Sequence, residues 1–284
     1  KNMNPRKDQT QKVSFSNTEI AFRSKKDSDI KRSLWLFKLM RSPLLVKLFS
    51  KLSLAAIQLR LPITRAVKAT IYRQFCSGES IDESQQVVKR LGKSGVGSIL
   101  DYSVEGKESE VDFENTKTEV LKIIQIAKGN PTIPYTSLKL TGIAGMHLLE
   151  KINSKVELTK SDHDAWKLAK NRINDICYNS FLNNVPIYFD AEESWIQDAI
   201  DSLAEEMMKN YNRNSAIILT TLQMYRWDRI NYLKELITQA RKEKFHIGIK
   251  LVRGAYMEKE NKRAFEFDYK SPIQRNKEST DKNF

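Results

Sequence analysis

The apolar and polar positions of this chain change period along its length. Between Ser33 and Ile63, in SLWLFKLMRSPLLVKLFSKLSLAAIQLRLPI, the residues Leu34, Phe37, Leu44, Leu45, Leu48, Leu52 and Leu59 fall at helical spacings. Lys38, Arg41, Lys47, Lys51 and Arg60 lie between them, so the stretch predicts a pair of basic amphipathic helices. Ser80-Ile-Asp-Glu83 then reads as a capping box, opening a helix that carries Val87, Val88 and Leu91 and stops at Gly92 and Gly95. From Ser98 onward, short apolar runs alternate with longer segments of period 3.6. Strands are predicted at 98–101, 136–141, 186–190, 216–222 and 246–253, and helices at 113–127, 144–152, 163–182, 194–208, 226–243 and 276–284.

Strands alternating with helices call for a parallel sheet covered on its outer side. The first unit carries no G-x-G-x-x-G and the chain has no Walker A motif, which favours a barrel over a doubly wound nucleotide fold. The expected fold class is α/β: a (βα)8 TIM-type barrel, truncated after about five βα units, behind an N-terminal helical region. Three segments follow from the pattern: a polar, flexible N-terminus over 1–30, a basic helical region over 31–95, and a partial barrel over 96–284. As written, the sequence is expected to lack the closing strands and to be inactive alone.

Charge changes this picture in one place. Residues 1–75 hold 17 Lys/Arg against 4 Asp/Glu, which accounts for the whole net charge of +13 and leaves the remainder neutral. A cationic segment interleaved with leucine on a neutral body has two readings: helices that pack on the domain behind them, or helices that dock on an anionic membrane surface. The longest uncharged stretch there, Leu52–Leu59, is far short of the roughly 20 apolar residues a bilayer span needs. Nucleic acid is disfavoured as a partner, because leucines rather than stacking aromatics accompany the cations. Two cysteines, Cys76 and Cys177, exclude a disulfide framework. With three scattered histidines and no C-x-x-C or H-E-x-x-H, no metal site is expected.

Candidate chemistry collects at the C-terminal ends of the predicted strands, where α/β barrels build their sites. Asp101, Lys139, Asp190, Gln223, Lys250 and Arg253 sit there, with Tyr256 just beyond. Taken singly, each has a plain alternative: a lysine on a solvated rim, or Asp190 as the cap of the helix that D-A-E-E opens. A ring of opposite charges around one opening is different, because such groups must pair with each other or with a ligand.

Four stretches carry a family resemblance: T-S-L-K-L-T-G around Lys139, Y-F-D-A-E-E around Asp190, T-L-Q-M-Y around Gln223, and K-L-V-R-G-A-Y at 250–256. They resemble proline dehydrogenase, in family order and over roughly Thr18 to Phe284. S-I-L-D-Y-S-V-E-G-K at 98–107 resembles that family's first barrel strand. The resemblance implies a distorted barrel that holds FAD without a Rossmann motif. It implies oxidation of L-proline to Δ1-pyrroline-5-carboxylate, with electrons passing to a membrane quinone. Residue by residue, Lys139 matches the lysine that pairs with the proline carboxylate, Asp190 the aspartate beneath substrate and flavin, and Tyr256 the aromatic residue beside the proline ring. Gln223 and Arg253 match flavin-contacting positions, and Lys250 stands where many bacterial members carry arginine beside the reactive flavin nitrogen. A lysine there keeps the charge and loses the planar fork. The family's adjacent arginine pair for the substrate carboxylate has no counterpart in this text. The implied location is cytoplasmic, with peripheral attachment to an inner membrane, mitochondrial in a eukaryote. The rival readings are another FAD-binding barrel of the methylenetetrahydrofolate reductase kind, and a basic module for membrane or nucleic acid without activity.

Overall fold

The computed structural model describes residues 16–102 and 108–284. The end of the S-I-L-D-Y-S-V-E-G-K stretch therefore lies outside the described residues, as does the start of the segment expected to be flexible. The chain divides into two compact units, 1–96 and 97–284.

The first unit is helical. It contains α1 (Thr18–Phe22), α2 (Asp27–Met40) and α3 (Pro43–Gln58). α4 (Thr64–Val67) then runs through a π-type turn at Lys68–Tyr72 into α5 (Arg73–Phe75), and α6 (Ile81–Gly92) follows. Pro43 starts α3 because a first-turn residue needs no amide hydrogen. Phe37 of α2 meets Phe75 edge to face, with ring centroids 6.2 Å apart, and Ser33 Oγ donates to Gln74 Oε1 at 2.6 Å. At α6 only half of the expected capping box forms. Ser80 accepts from the Glu83 amide, but the Glu83 carboxylate takes the amide of Glu79, at 2.8 Å, in place of that of Ser80. Gly95 follows at φ +73°, the left-handed conformation that favours glycine.

The second unit is a parallel sheet in the order β1 (Ile99–Leu100), β2 (Tyr135–Leu138), β3 (Ile187–Phe189), β4 (Ile218–Gln223), β5 (Ile249–Val252). Sequential order with every pair parallel is the arrangement of an arc of a βα barrel. Its helices are α7 (Glu110–Ala127), α8 (Met146–Asn153), α9 (Lys160–Asn183), α10 (Ser194–Tyr211), α11 (Arg229–Glu243), α12 (Met257–Glu266) and α13 (Lys277–Asn283). The period-3.6 apolar residues Phe113, Val120, Ile123, Ile124 and Ala127 make the buried stripe of α7. α9 begins on a complete capping box in which Thr159 and Asp162 each satisfy the other's amide. The core lies between this helical layer and the outward sheet face, where Leu138, Ile187, Phe189, Ile218 and Leu222 are all buried.

The sheet register decides which side chains meet on the other face. Ser137 pairs with Tyr188, Tyr188 with Leu219, and Thr221 with Lys250. Glycine at 248 keeps that face level, since a Cβ there would meet Leu219 Cδ2 at 2.5 Å. At the opposite, N-terminal end, buried Asn212 ties β4 to the approach of β5. Its amide donates to the Ile218 and His246 carbonyls, at 2.7 and 2.9 Å, and accepts from the amides of Ile217 and Ile218.

Helix α12 is absent from the pattern-based expectation. Its text, M-E-K-E-N-K-R-A-F-E, presents one buried apolar residue, Ala264, and one buried carboxylate, Glu260. Glu260 accepts from Ser194 N and Ser194 Oγ, both at 2.6 Å, so a polar contact fastens α12 to the start of α10.

Candidate active site

Lys139 follows β2 in extended conformation (φ −100°, ψ 132°), and Asp190 follows β3 with its amide donating to Leu138 O at 2.9 Å. The alternation of the strands therefore continues through both residues. Lys139 falls on the face of Ser137, Asp190 on the face of Tyr188, and Thr221 and Lys250 complete the row across β4 and β5. Four side chains of opposite character thus stand in line at the strand exits: ammonium, carboxylate, hydroxyl, ammonium.

The contacts within the row are direct. Lys250 Nζ forms an ion pair with Asp190 Oδ1, and Thr221 Oγ1 donates to the same oxygen at 3.2 Å. The Lys250 ammonium also lies 5.4 Å from the centroid of the Tyr188 ring, within cation–π range. Tyr188 in turn contacts Tyr135, ring centroids 5.3 Å apart, and burial raises the pKa of the Tyr188 hydroxyl. Asp190 does not cap a helix: the residue at the N-cap of α10 is Glu193, and its side chain makes no capping bond. The Asp190 carboxylate is committed to holding Lys250.

One residue-pair further along the strands, Gln223 is buried and tied at both ends. Its Nε2 donates to Glu192 O at 2.8 Å and its Oε1 accepts from Ala255 N at 3.1 Å. Nε2 retains one further hydrogen for a ligand. Glu192, 2% exposed, accepts from Thr141 N at 3.1 Å and from Thr141 Oγ1. Burial pushes the Glu192 carboxyl up to about 7, opposed by the Thr141 bonds and the nearby Lys139 charge.

Arg253 and Tyr256 belong to a neighbouring part of the same end of the sheet. The Arg253 guanidinium pairs with Asp281 at 2.6 Å and lies over the Phe284 ring, 4.3 Å from its centroid. Tyr256 stands at the N-cap of α12, where its amide donates to Tyr225 Oη at 3.3 Å. Between them Gly254 adopts φ +138°, with the Tyr225 ring packed where a Cβ would stand. Arg253, Gly254 and Tyr256 line a cleft of about 970 Å³, closed on its other side by Ile273, Gln274 and Asn276. Of the seven residues singled out in the sequence, Asp101 is exposed just after β1, and the others form two groups: the row of Lys139, Asp190 and Lys250, and the cleft residues Arg253 and Tyr256. Gln223 links them through the Ala255 amide. Thr221, Tyr188, Thr141 and Glu192 complete this arrangement and were not singled out. Thr221 sits inside the apolar strand text A-I-I-L-T-T-L, and Glu192 reads as part of a helix cap.

Residues 84–284 match the sequence profile of the family described as proline dehydrogenase. The chain belongs to that family. A protein of carbapenem antibiotic biosynthesis, CarD of Pectobacterium carotovorum, is 30% identical over 188 residues, covering 66% of this chain and 50% of CarD. The mitochondrial proline dehydrogenase 1 of Dictyostelium discoideum is 30% identical over 267 residues, covering 80% of this chain and 46% of that protein. The chain spans about half the length of these relatives. Among solved structures, proline utilization A from Bdellovibrio bacteriovorus, inactivated by N-propargylglycine, aligns with a TM-score of 0.66 at 20% identity. That alignment covers 77% of this chain and 24% of the other, and establishes likeness of fold.

Proposed function

We propose that this protein oxidises L-proline to Δ1-pyrroline-5-carboxylate on bound FAD and delivers the electrons to a membrane quinone. The observation that carries the reading is the row Lys139–Asp190–Thr221–Lys250 at the strand exits of a chain in this family. The substrate brings a carboxylate that needs a cation, and a flavin gaining hydride gains negative charge that a second cation stabilises. The row offers one ammonium for each purpose. The carboxylate between them, Asp190, keeps Lys250 from turning toward the substrate.

The donor set suits a flavin. Lys250 and the Nε2 of Gln223 at the strand exits would hold it, with the Arg253 guanidinium reaching it from the adjoining cleft that Arg253 lines. When bound, the flavin supplies the hydride acceptor. The chain's own residues do the rest: Lys139 holds the proline carboxylate, Tyr256 packs beside the ring, and Asp190 with Thr221 fixes the position of Lys250. Forming the C=N bond takes a hydride from the carbon beside nitrogen and a proton from the amine, so the ring must be held still in one orientation. Purified with its flavin, the protein is expected to reduce a soluble quinone in step with L-proline, one equivalent for one. Quinone reduction that ignores proline would overturn the reading.

For the electrons to reach a membrane quinone the protein must meet a membrane. Among the described residues no helix is long and apolar enough to cross one. Helix α3 supports surface attachment instead: none of its residues is buried, and Leu44, Leu48, Leu52, Leu54 and Ile57 are each more than half exposed. Lys47 and Lys51 flank those leucines, and each cation near an anionic surface contributes about 1 kcal/mol. A mitochondrial location accords with the name of the Dictyostelium relative. Co-sedimentation with anionic vesicles is expected at low salt, falling as salt rises. Recovery in the supernatant with anionic vesicles at every salt concentration would remove α3 from this role.

A further inference from the structure

Lys139 leads into a single 3₁₀ turn, Leu140–Gly142, whose closing bond runs from Gly142 N to Lys139 O at 3.2 Å. The middle residue of that turn, Thr141, is held at two atoms by one buried carboxylate, that of Glu192. Glu192 is itself fixed on both sides. Its amide donates to Gln197 Oε1 at 2.9 Å, and its carbonyl accepts from Gln223 Nε2. Gln197 passes the constraint to Asp201 at 2.8 Å, and Asp201 pairs with Arg229 at 2.6 Å, all of them at most 5% exposed. A buried polar chain therefore runs from the turn after β2 through the exits of β3 and β4 to the starts of α10 and α11.

Resting on the proline dehydrogenase reading of the row, we propose that Glu192 is a positioning residue for Lys139. It clamps the turn that follows Lys139 and thereby sets where the ammonium stands when the substrate carboxylate arrives. A buried carboxylate is costly to keep unless its oxygens are satisfied, and here both are spent on Thr141. Glutamine at this position would preserve the clamp, with Oε1 accepting from the Thr141 amide and Nε2 donating to its hydroxyl. Alanine would leave the turn with two unmet donors.

The test is a double-mutant cycle with two readouts. Glu192→Ala is expected to raise the KM for L-proline about tenfold, as a displaced contact group does, with flavin reduction at saturating proline nearly unchanged. Glu192→Gln is expected to restore the KM. In a Lys139→Ala background, Glu192→Ala is expected to add nothing further, because it acts through the lysine. Thr141→Val should move the KM in the same direction, and it serves if Glu192→Ala does not fold. Independently of proline, acylation of the Lys139 amine, followed by mass spectrometry, is expected to quicken at least about threefold in Glu192→Ala and stay unchanged in Glu192→Gln. Additive KM effects, or equal Lys139 reactivity in all variants, would overturn the proposal. If the wild-type protein ignored proline, the function reading would fail while the reactivity measurement still decided the clamp.

Discussion

Replacing Lys139 with alanine is expected to raise the KM for L-proline about 10- to 150-fold, the loss of one charge-assisted hydrogen bond worth roughly 1.5–3 kcal/mol. The lysine stands at the end of the row and its backbone is extended, so truncating it leaves the strand pairing intact. Folding and flavin content should therefore survive, and the loss should concentrate in substrate binding. Lys139→Arg should recover little of it, since a guanidinium on a stem fixed by the same turn reaches a different point. The measurement is steady-state kinetics beside flavin content for each variant. An unchanged KM would make Lys139 a solvated rim residue.

Asp190→Asn is the second substitution with a large expected effect, and it acts through Lys250. The Asp190 and Lys250 side chains are 18% and 29% exposed, so the pair is neither a surface bridge nor fully desolvated. Removing the negative charge leaves the ammonium with a neutral amide oxygen and the Tyr188 ring in place of a carboxylate, at a cost of about 1–3 kcal/mol in stability, between surface and buried pairs. The functional loss should be larger. An ammonium released from its carboxylate turns toward solvent, and a misplaced contact of this sort lowers kcat/KM about a hundredfold. Flavin retained through gel filtration should fall with it. Asp190→Glu should not rescue, because an added methylene displaces the oxygen that both Lys250 and Thr221 share. Wild-type flavin retention in Asp190→Asn would separate this ion pair from the cofactor.

How much of this was readable beforehand depended on where burial left a periodic trace. All five strands were legible because β-branched and apolar runs such as T-S-L-K-L-T and A-I-I-L-T-T-L stand out from the helical text, though each proved shorter than its text, and β2 starts one residue before the first of these runs and gives way to a 3₁₀ turn at Leu140. Helix α7 was legible for the same reason, with five apolar residues on one stripe. Helix α12 was not, because Glu260 does the work of an apolar anchor by capping α10, and no periodicity rule counts a carboxylate as core. Lys139, Asp190 and Lys250 could be picked out as charges at strand ends. Their alignment into one row required the register, which one residue of slip would have undone. Thr221 and Glu192 carried no signal of their own. A threonine inside a strand reads as β-propensity and a glutamate before a helix reads as a cap, until the fold gives each a partner. Conversely, Arg253 read as a member of the same ring and instead faces Asp281 and Phe284.

On the proposed function, the row holds a five-membered cyclic amino acid by its carboxylate against a flavin. The most direct test is an anaerobic absorbance titration of the purified flavoprotein with L-proline and, separately, with pyrrolidine, which has the ring and lacks the carboxylate. The visible flavin bands are expected to bleach with L-proline, pyrrolidine to be ineffective at the same concentrations, and Lys139→Ala to shift the L-proline midpoint upward. Flavin bands that stay unchanged at saturating L-proline, or that bleach equally with pyrrolidine, would contradict that function.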